Sequence, residues 1–227
     1  MYRNMMTILY HMTIHVIPGR AFDSNIYVIT GEQPTIIDTG TGQNQSSVNK
    51  AIQSITDPST ITQIILTHEH FDHVGGTRAL IDQINKEATI ISHPLSKQKI
   101  EQGKSMFAQM LGATMPKIKV DETVEENDMI PIGDDSYLII HTPGHTPGCI
   151  CMYCKKTKTL FSGDTVFSNG SFGRTDFPGG STDQLIASIK RLSDLDIDNL
   201  YPGHELFIEG GANQHIRLSL QNITSCY

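Results

Sequence analysis

The apolar residues of this chain switch repeatedly between the two-residue period of a β-strand and the longer period of a helix. In the first half, alternation over residues 8–16 and the segments "NIYVIT" and "PTIIDTG" predict strands, and apolar residues at helical spacing between Val48 and Ile55 predict a helix. The second half repeats this order with "SYLIIHT", "GCICMYC" and "KTLFSG", followed by a helix that begins after Ser181 in a capping box with Gln184. We therefore expect an α/β fold of two packed β-sheets with helices outside.

Length and charge limit the kind of partner that the chain takes. Its 227 residues favour a single domain over residues 1–227. Because 24 acidic residues outnumber 17 basic ones and leave a net charge of -7, we expect no nucleic-acid partner. No segment reaches about 18 uninterrupted apolar residues, so we expect no membrane partner and a cytoplasmic protein, either a monomer or a homodimer.

The four cysteines indicate neither a disulfide scaffold nor a metal cage. Cys149, Cys151 and Cys154 are clustered in "CICMYC", and Cys226 stands alone near the carboxyl terminus of the sequence. A zinc cage would need a second pair of ligands at a suitable spacing, which Cys226 does not supply. We assign the clustered cysteines as small apolar residues of a buried strand, with no functional role.

The segment "LTHEHFDHVGG", Leu66–Gly76, places three histidines and an aspartate directly after an apolar strand. Side chains two residues apart in an extended segment point the same way, so His68 and His70 can hold one ion together. Asp72 and His73 follow after the chain has turned and reach a different point nearby. The spacing therefore indicates two adjacent metal positions, with exposed polar histidines as the alternative.

Three further polar residues stand at comparable turns after strands. They are His145 in "HTPGHTPG", Asp164 in "LFSGDTVF" and His204 in "LYPGHE", where Pro and Gly favour tight turns. Imidazole-rich sites suit zinc, with iron and manganese as alternatives. The seven candidate ligands are His68, His70, Asp72, His73, His145, Asp164 and His204.

Four other histidines stand in surroundings that need no metal. Two lie opposite the apolar stripe of the first predicted strand, and two lie at a helix start or within a helix. We expect these four to be surface or hydrogen-bonded residues: His11, His15, His93 and His215.

The segment "THEHFDHVGG" resembles the H-x-H-x-D-H signature of the metallo-β-lactamase superfamily, and the later turn residues follow in that family's order. The resemblance implies a four-layer αββα sandwich with two mixed sheets and two divalent metal ions. It assigns one metal to His68, His70 and His145, and the other to Asp72, His73 and His204. It also implies that Asp164 bridges the metals and that Asp38, in "IIDTG", lies behind the site and orients a histidine ligand.

The chemistry implied by this resemblance is hydrolysis. Two divalent ions, two ligating aspartates and a bridging hydroxide leave a net charge of about +1, which favours a developing oxyanion. The same charge lowers the pKa of bound water toward about 7 and produces a nucleophile at neutral pH. Asp164, as the bridge, and Asp72, as a residue that orients the water, are the candidate catalytic residues.

The loop "GSFGRTDFPGGS", Gly170–Ser181, resembles that of glyoxalase II-like hydrolases. This implies a thioesterase acting on a small-molecule thioester, such as a hydroxyacyl-thiol conjugate. Few residues follow His204, so we do not expect the extra helical domain that longer members use for glutathione, and the thiol carrier stays open. Arg174 is a candidate contact for an anionic group of the substrate, with pairing to Asp176 as the alternative. Residues 103–128, the least regular segment, are a second candidate for substrate contact.

Other activities fit the same motifs. Persulfide dioxygenases also carry a "GRTDF" loop, and the resemblance to them implies one iron held by His68, His145 and Asp164. A lactonase is a further alternative. A non-catalytic module that binds metal is the third, although seven ligands exceed the closed four-ligand cage of structural zinc.

Overall fold

The computed structural model describes residues 13–226, within which the chain forms twelve strands and seven helices. The part of the first predicted strand before residue 13, with His11, lies outside the described residues. The strands are β1 Ile14–Ile17, β2 Ile26–Ile29, β3 Thr35–Ile37, β4 Gln63–Leu66, β5 Thr89–Ser92, β6 Glu122–Thr123, β7 Met129–Ile132, β8 Asp135–His141, β9 Ile150–Cys154, β10 Thr159–Gly163, β11 Asn199–Pro202 and β12 Ile208–Glu209. The helices are α1 Gln45–Ile55, α2 Phe71–Val74, α3 Thr77–Ile81, α4 Pro94–Gln102, α5 Met106–Met110, α6 Thr182–Ser193 and α7 Ala212–Cys226.

The described strands form two six-stranded sheets, each of which mixes parallel and antiparallel pairs. The first sheet has the order β1-β2-β3-β4-β5-β6, with parallel pairing from β3 to β6. The second has the order β12-β11-β10-β9-β8-β7, and its parallel pair is β10 with β11. The predicted α/β fold with two mixed sheets is confirmed.

Three hydrophobic cores separate four layers. One core lies between the first sheet and helices α1, α3, α4 and α5, and another lies between the second sheet and helices α6 and α7. The third core lies between the two sheets and contains a group of contacting aromatic rings. The ring centre of Phe161 lies within 5.7 Å of the ring centres of Tyr27, Tyr137 and Tyr201. The layer order is therefore helix, sheet, sheet, helix, as the sequence predicts.

Local signals explain where the main helices begin and end. Ser181 accepts a hydrogen bond from the backbone N–H of Gln184 and caps α6, as predicted. Gly103 ends α4 in the left-handed conformation, with φ of 63°, which glycine adopts without steric cost. Helix α3 ends at Ile81, and Ile84 packs into the first core from beyond the helix.

Two of the histidines expected to be surface or hydrogen-bonded residues make hydrogen bonds, and the clustered cysteines are buried. His93 caps α4 by accepting a hydrogen bond from the N–H of Leu95, and His215 on α7 accepts one from the N–H of Asn169. The clustered cysteines are buried in or beside β9, as predicted, and are free thiols. Among residues 13–226, no helix has the length and apolar character needed to cross a bilayer.

Strand direction brings distant turns together. Strands β3, β4 and β5 are parallel, so their carboxyl ends meet at one edge of the first sheet. Strands β10 and β11 are also parallel, and their carboxyl ends meet at one edge of the second sheet. Ligand sites in α/β sheets lie outside the carboxyl ends of strands, and the candidate ligands follow these ends.

The ring group between the sheets should control stability. We expect Phe161→Ala to lower the free energy of unfolding by about 3–5 kcal/mol, because the residue is fully buried and the cavity would not close. Phe207→Ala is the matched control, since Phe207 is 40% exposed, and its effect should stay below about 1 kcal/mol. Urea unfolding followed by circular dichroism measures both. A loss below about 1 kcal/mol in the Phe161 variant would contradict this account of the core.

Candidate metal centre

Each candidate ligand follows a strand end or lies on the short helix after β4. His68 and His70 come directly after β4, and Asp72 and His73 lie on α2. His145 lies in the turn between β8 and β9. Asp164 follows β10 immediately and His204 follows β11. The sheet edges described above therefore place all seven side chains in one region.

Among the described residues, two of the three close groups of ligand atoms are the sets that the resemblance assigns to separate metals, and the third joins His68, His73 and Asp164 across them. Atoms of His68, His70 and His145 lie within 4.8 Å of one another, and so do those of Asp72, His73 and His204. In the first group His145 Nε2 is 2.8 Å from His70 Nδ1. In the second, His204 Nε2 is 3.1 Å from Asp72 Oδ2 and 3.3 Å from His73 Nε2. Their roles as ligands stay predictions.

Asp164 lies between the two groups. Its Oδ2 is 3.4 Å from His145 Nε2 in the first group and 3.6 Å from His204 Nε2 in the second, while Oδ1 is 3.2 Å from His73 Nε2. The glycine before His204 permits this approach, because a Cβ on Gly203 would stand 2.2 Å from Asp164 Oδ1. One carboxylate therefore faces both positions, as a bridging ligand must.

Asp38 fixes the orientation of two histidine rings. Its carboxylate accepts hydrogen bonds from His73 Nδ1 at 2.7 Å and from both the backbone N–H and the hydroxyl of Thr67. Because the Thr67 hydroxyl donates to Asp38, it accepts from His68 Nδ1 at 3.1 Å. Both rings therefore present Nε2 toward the cluster, as metal-ligating histidines typically do, and the role of Asp38 behind a bound metal stays a prediction.

The donor set fits divalent metal ions. His68 Nε2 is fully buried and has no hydrogen-bond partner among the described residues, although buried polar atoms are normally paired. Burial lowers the pKa of His68 well below its usual value, so the ring is neutral and its Nε2 lone pair is available. A cluster of imidazoles and carboxylates around an unpaired buried nitrogen is suited to zinc, iron or manganese.

The carboxylates give the region a negative potential. Burial lowers the pKa of His73, but the charges of Asp164, Asp38 and Asp72 outweigh this and raise it well above its usual value. Burial raises the pKa of Asp164, but His73 and His204 outweigh this and hold it well below its usual value. Asp164 is therefore ionised at neutral pH, and the site attracts positive charge.

The loop that contains Arg174 holds His145 through its backbone. His145 Nδ1 donates to the carbonyl oxygen of Arg174 at 2.6 Å, which leaves Nε2 facing the cluster. The guanidinium of Arg174 pairs with both carboxylate oxygens of Asp176 and lies 4.8 Å from the centre of the Phe177 ring. Pairing with Asp176 was the alternative left open by the sequence, and the contact of Arg174 with substrate stays a prediction.

Glu69, which stands between the candidate ligands His68 and His70, is a structural anchor. Its buried carboxylate accepts hydrogen bonds from Ser96, from Lys99 at 2.6 Å and from Thr146, the neighbour of His145. Burial raises the pKa of Glu69, but the bonds from Lys99 and Thr146 outweigh this and hold it below its usual value. Glu69 thus ties helix α4 to the turn that carries His145.

The cluster lies in a pocket of about 460 Å³, within the usual range for small-molecule sites. Lys104, Ser105, Met106 and Phe107 line it, so the segment expected to contact substrate reaches the site. That segment is more regular than predicted, since it contains α5 and β6. A larger cavity of about 690 Å³ borders β1 and α1 and includes none of the seven candidate ligands, so the smaller pocket is the candidate site.

The sequence model of the metallo-beta-lactamase superfamily matches residues 19–204, which include every candidate ligand. The chain belongs to this superfamily. Two relatives support the assignment. The hydroxyacylglutathione hydrolase GloC of Haemophilus influenzae is 31% identical over 79% of this chain and 83% of its own length. The acyl-coenzyme A thioesterase MBLAC2 of Gallus gallus is 26% identical over 88% of this chain and 78% of its own length.

One solved structure similar to this chain contains two iron ions. The crystal structure of TTHA1623 in a di-iron-bound form has a TM-score of 0.71 to this chain and 30% sequence identity, covering 92% of this chain and 96% of that one. Metallo-beta-lactamase folds bind divalent metals, and the described residues include His and Asp groups that could hold them. The resemblance found in the sequence is confirmed.

We expect Asp38→Asn to weaken metal binding by about 10- to 100-fold. An amide nitrogen facing His73 Nδ1 would favour the tautomer with its proton on Nε2 and block that ligand atom. Asp38 has a φ of 57°, which asparagine also tolerates, so the backbone should be unaffected. Zinc competition with a chromophoric chelator measures the affinity, and exposed Asp82→Asn is the control. Equal zinc affinities in the two variants would contradict the orienting role.

The network around Glu69 gives a second expectation. Glu69→Ala leaves the buried hydroxyls of Ser96 and Thr146 without their carboxylate acceptor, so we expect the free energy of unfolding to fall by about 2–3 kcal/mol. Exposed Glu87→Ala is the matched control and should change it by less than about 0.5 kcal/mol. Denaturant titration of the two variants measures the difference. The anchor role is wrong if both behave alike.

Proposed function

We propose that this protein is a metal-dependent hydrolase that cleaves a small-molecule thioester, in the manner of glyoxalase II. One observation carries the proposal: two groups of three ligands face the two sides of Asp164 in a small-molecule pocket. The names of the two relatives reported above, a hydroxyacylglutathione hydrolase and an acyl-coenzyme A thioesterase, support a thioester substrate. A net charge of -7 favours such a molecule over a nucleic acid.

The residues would hold two divalent ions, zinc in the first place, with iron or manganese as alternatives. His68, His70 and His145 would hold one ion, and Asp72, His73 and His204 the other, with Asp164 shared between them. Such ions lower the pKa of bound water and stabilise negative charge that develops on a carbonyl oxygen. Iron is supported by the di-iron neighbour.

The protein's own groups would orient the reactants. Asp72 Oδ2 lies 3.1 Å from His204 Nε2 at the same metal position, so this oxygen would serve as the ligand and Oδ1 would accept a hydrogen bond from the attacking water. Phe177 and Phe167 contact the rings of His70 and His204, at 5.7 and 5.9 Å between ring centres, and exclude bulk water from the two sides of the site. Hydrolysis would break the bond between the acyl carbon and sulfur and yield a carboxylic acid and a thiol.

The bridging residue gives the sharpest test. We expect Asp164→Asn to lower kcat/KM for S-lactoylglutathione by at least about 100-fold, because its carboxylate contributes to holding both ions. Exposed Asp183→Asn is the matched control and should retain the wild-type rate. Metal analysis of the wild-type protein purified without added metal should give about two ions per chain.

Two outcomes would contradict the proposal. Undiminished hydrolysis in Asp164→Asn would exclude the bridging role. A wild-type protein with a single iron that consumes oxygen with glutathione persulfide, and cleaves no thioester, would instead be a persulfide dioxygenase.

A further inference from the structure

The pocket beside the ligand cluster has an aromatic wall. Five phenylalanines line it together with Met106, and they come from three separate parts of the chain. The phenylalanines are Phe22, Phe107, Phe167, Phe172 and Phe177. A pocket built only for a short hydroxyacyl group, which is small and polar, would not need this apolar surface.

Three of these rings form a continuous path that leads outward from the ligands. Between ring centres, Phe177 lies 5.7 Å from His70, Phe107 lies 6.4 Å from Phe177, and Phe22 lies 5.9 Å from Phe107. The path ends at the pocket rim, where Phe22 is 54% exposed and Met106 is 47% exposed. Exposed apolar groups that line a pocket gain free energy when a ligand covers them.

The same pocket carries positive side chains, although the protein as a whole is acidic. Lys99, Lys104 and Arg174 line it. Lys99 is bonded to Glu69 and Arg174 to Asp176, whereas Lys104 has no ion-pair partner within residues 13–226. An exposed lysine next to an apolar wall is suited to hold an anionic group while the rest of the molecule lies against the rings.

We propose that the substrate is a thioester that joins an apolar acyl chain of medium length to an anionic thiol. The acyl chain lies along Phe177, Phe107 and Phe22, and the anionic group of the thiol pairs with Lys104. This inference rests on the proposed thioester hydrolysis and deepens it by naming the two parts of the substrate. The anion is a carboxylate or a phosphate, because the ammonium group of Lys104 can pair with either.

The preference can be measured with a matrix of substrates. Acetyl and octanoyl thioesters of coenzyme A, glutathione and uncharged N-acetylcysteamine vary the chain and the charge independently. A buried methylene contributes about three- to fourfold in affinity, so we expect kcat/KM to rise at least about 10-fold from acetyl to octanoyl, even with partial burial. The comparison of coenzyme A with glutathione identifies the source of the anion.

Variants locate the two subsites. Phe107→Ala and Phe22→Ala should lower the ratio of octanoyl to acetyl kcat/KM by about fivefold or more, whereas Phe207→Ala, outside the pocket, should preserve it. Phe22 is largely exposed, so its variant carries the test if Phe107→Ala does not fold. Lys104→Gln should lower the ratio of kcat/KM for thioesters of a charged carrier to kcat/KM for thioesters of the uncharged carrier. Lys50→Gln on α1 is the control.

A binding measurement separates this inference from the proposed function. Calorimetry with the S-octyl and S-methyl thioethers of glutathione, which cannot be hydrolysed, measures the Kd of each compound. The difference between the two Kd values gives the contribution of the apolar path to binding without catalysis. Tighter binding of the octyl compound that is lost in Phe22→Ala supports the path, even if no thioester is cleaved and the proposed function fails. Equal Kd values for the two thioethers, or thioester cleavage without chain-length preference, overturn the inference while leaving hydrolysis intact.

Discussion

The arrangement of the metal centre depends on the hydrogen bonds that the buried carboxylate of Asp38 accepts. This carboxylate accepts three hydrogen bonds, two from Thr67 and one from His73, and a buried carboxylate without such donors would be costly. The parallel pairing of β3 with β4 in register, Ile37 opposite Ile65, brings Asp38 and Thr67 to the same sheet edge. Through these bonds the pairing of two strands sets the orientation of two imidazole rings.

The two sides of the centre differ in charge. The first group consists of three imidazoles, of which His68 is held neutral by burial. The second group contains the carboxylate of Asp72 as well. If both positions are filled, Asp164 is the only one of the seven residues that places negative charge beside the first ion. The two ions would therefore attract a substrate oxygen with different strength.

Much of this centre could be predicted from the sequence because its information is local. The spacing of histidines after β4 and the Pro-Gly turns before His145 and His204 mark strand ends, and the sheet topology then brings those ends together. Glu69 could not be assigned in this way. Its partners Ser96, Lys99 and Thr146 lie 27 to 77 residues further along the chain, and only the packing of α4 against the His145 turn reveals them.

The bond from His145 to Arg174 is made to a backbone carbonyl, a group that every residue type possesses. No pattern of side chains in the sequence could have indicated it. The same fact separates two properties of the loop, because its main chain supports the centre while its side chains face the pocket. Substitutions at position 174 can accordingly change the side chain that lines the pocket while the backbone bond to His145 is kept.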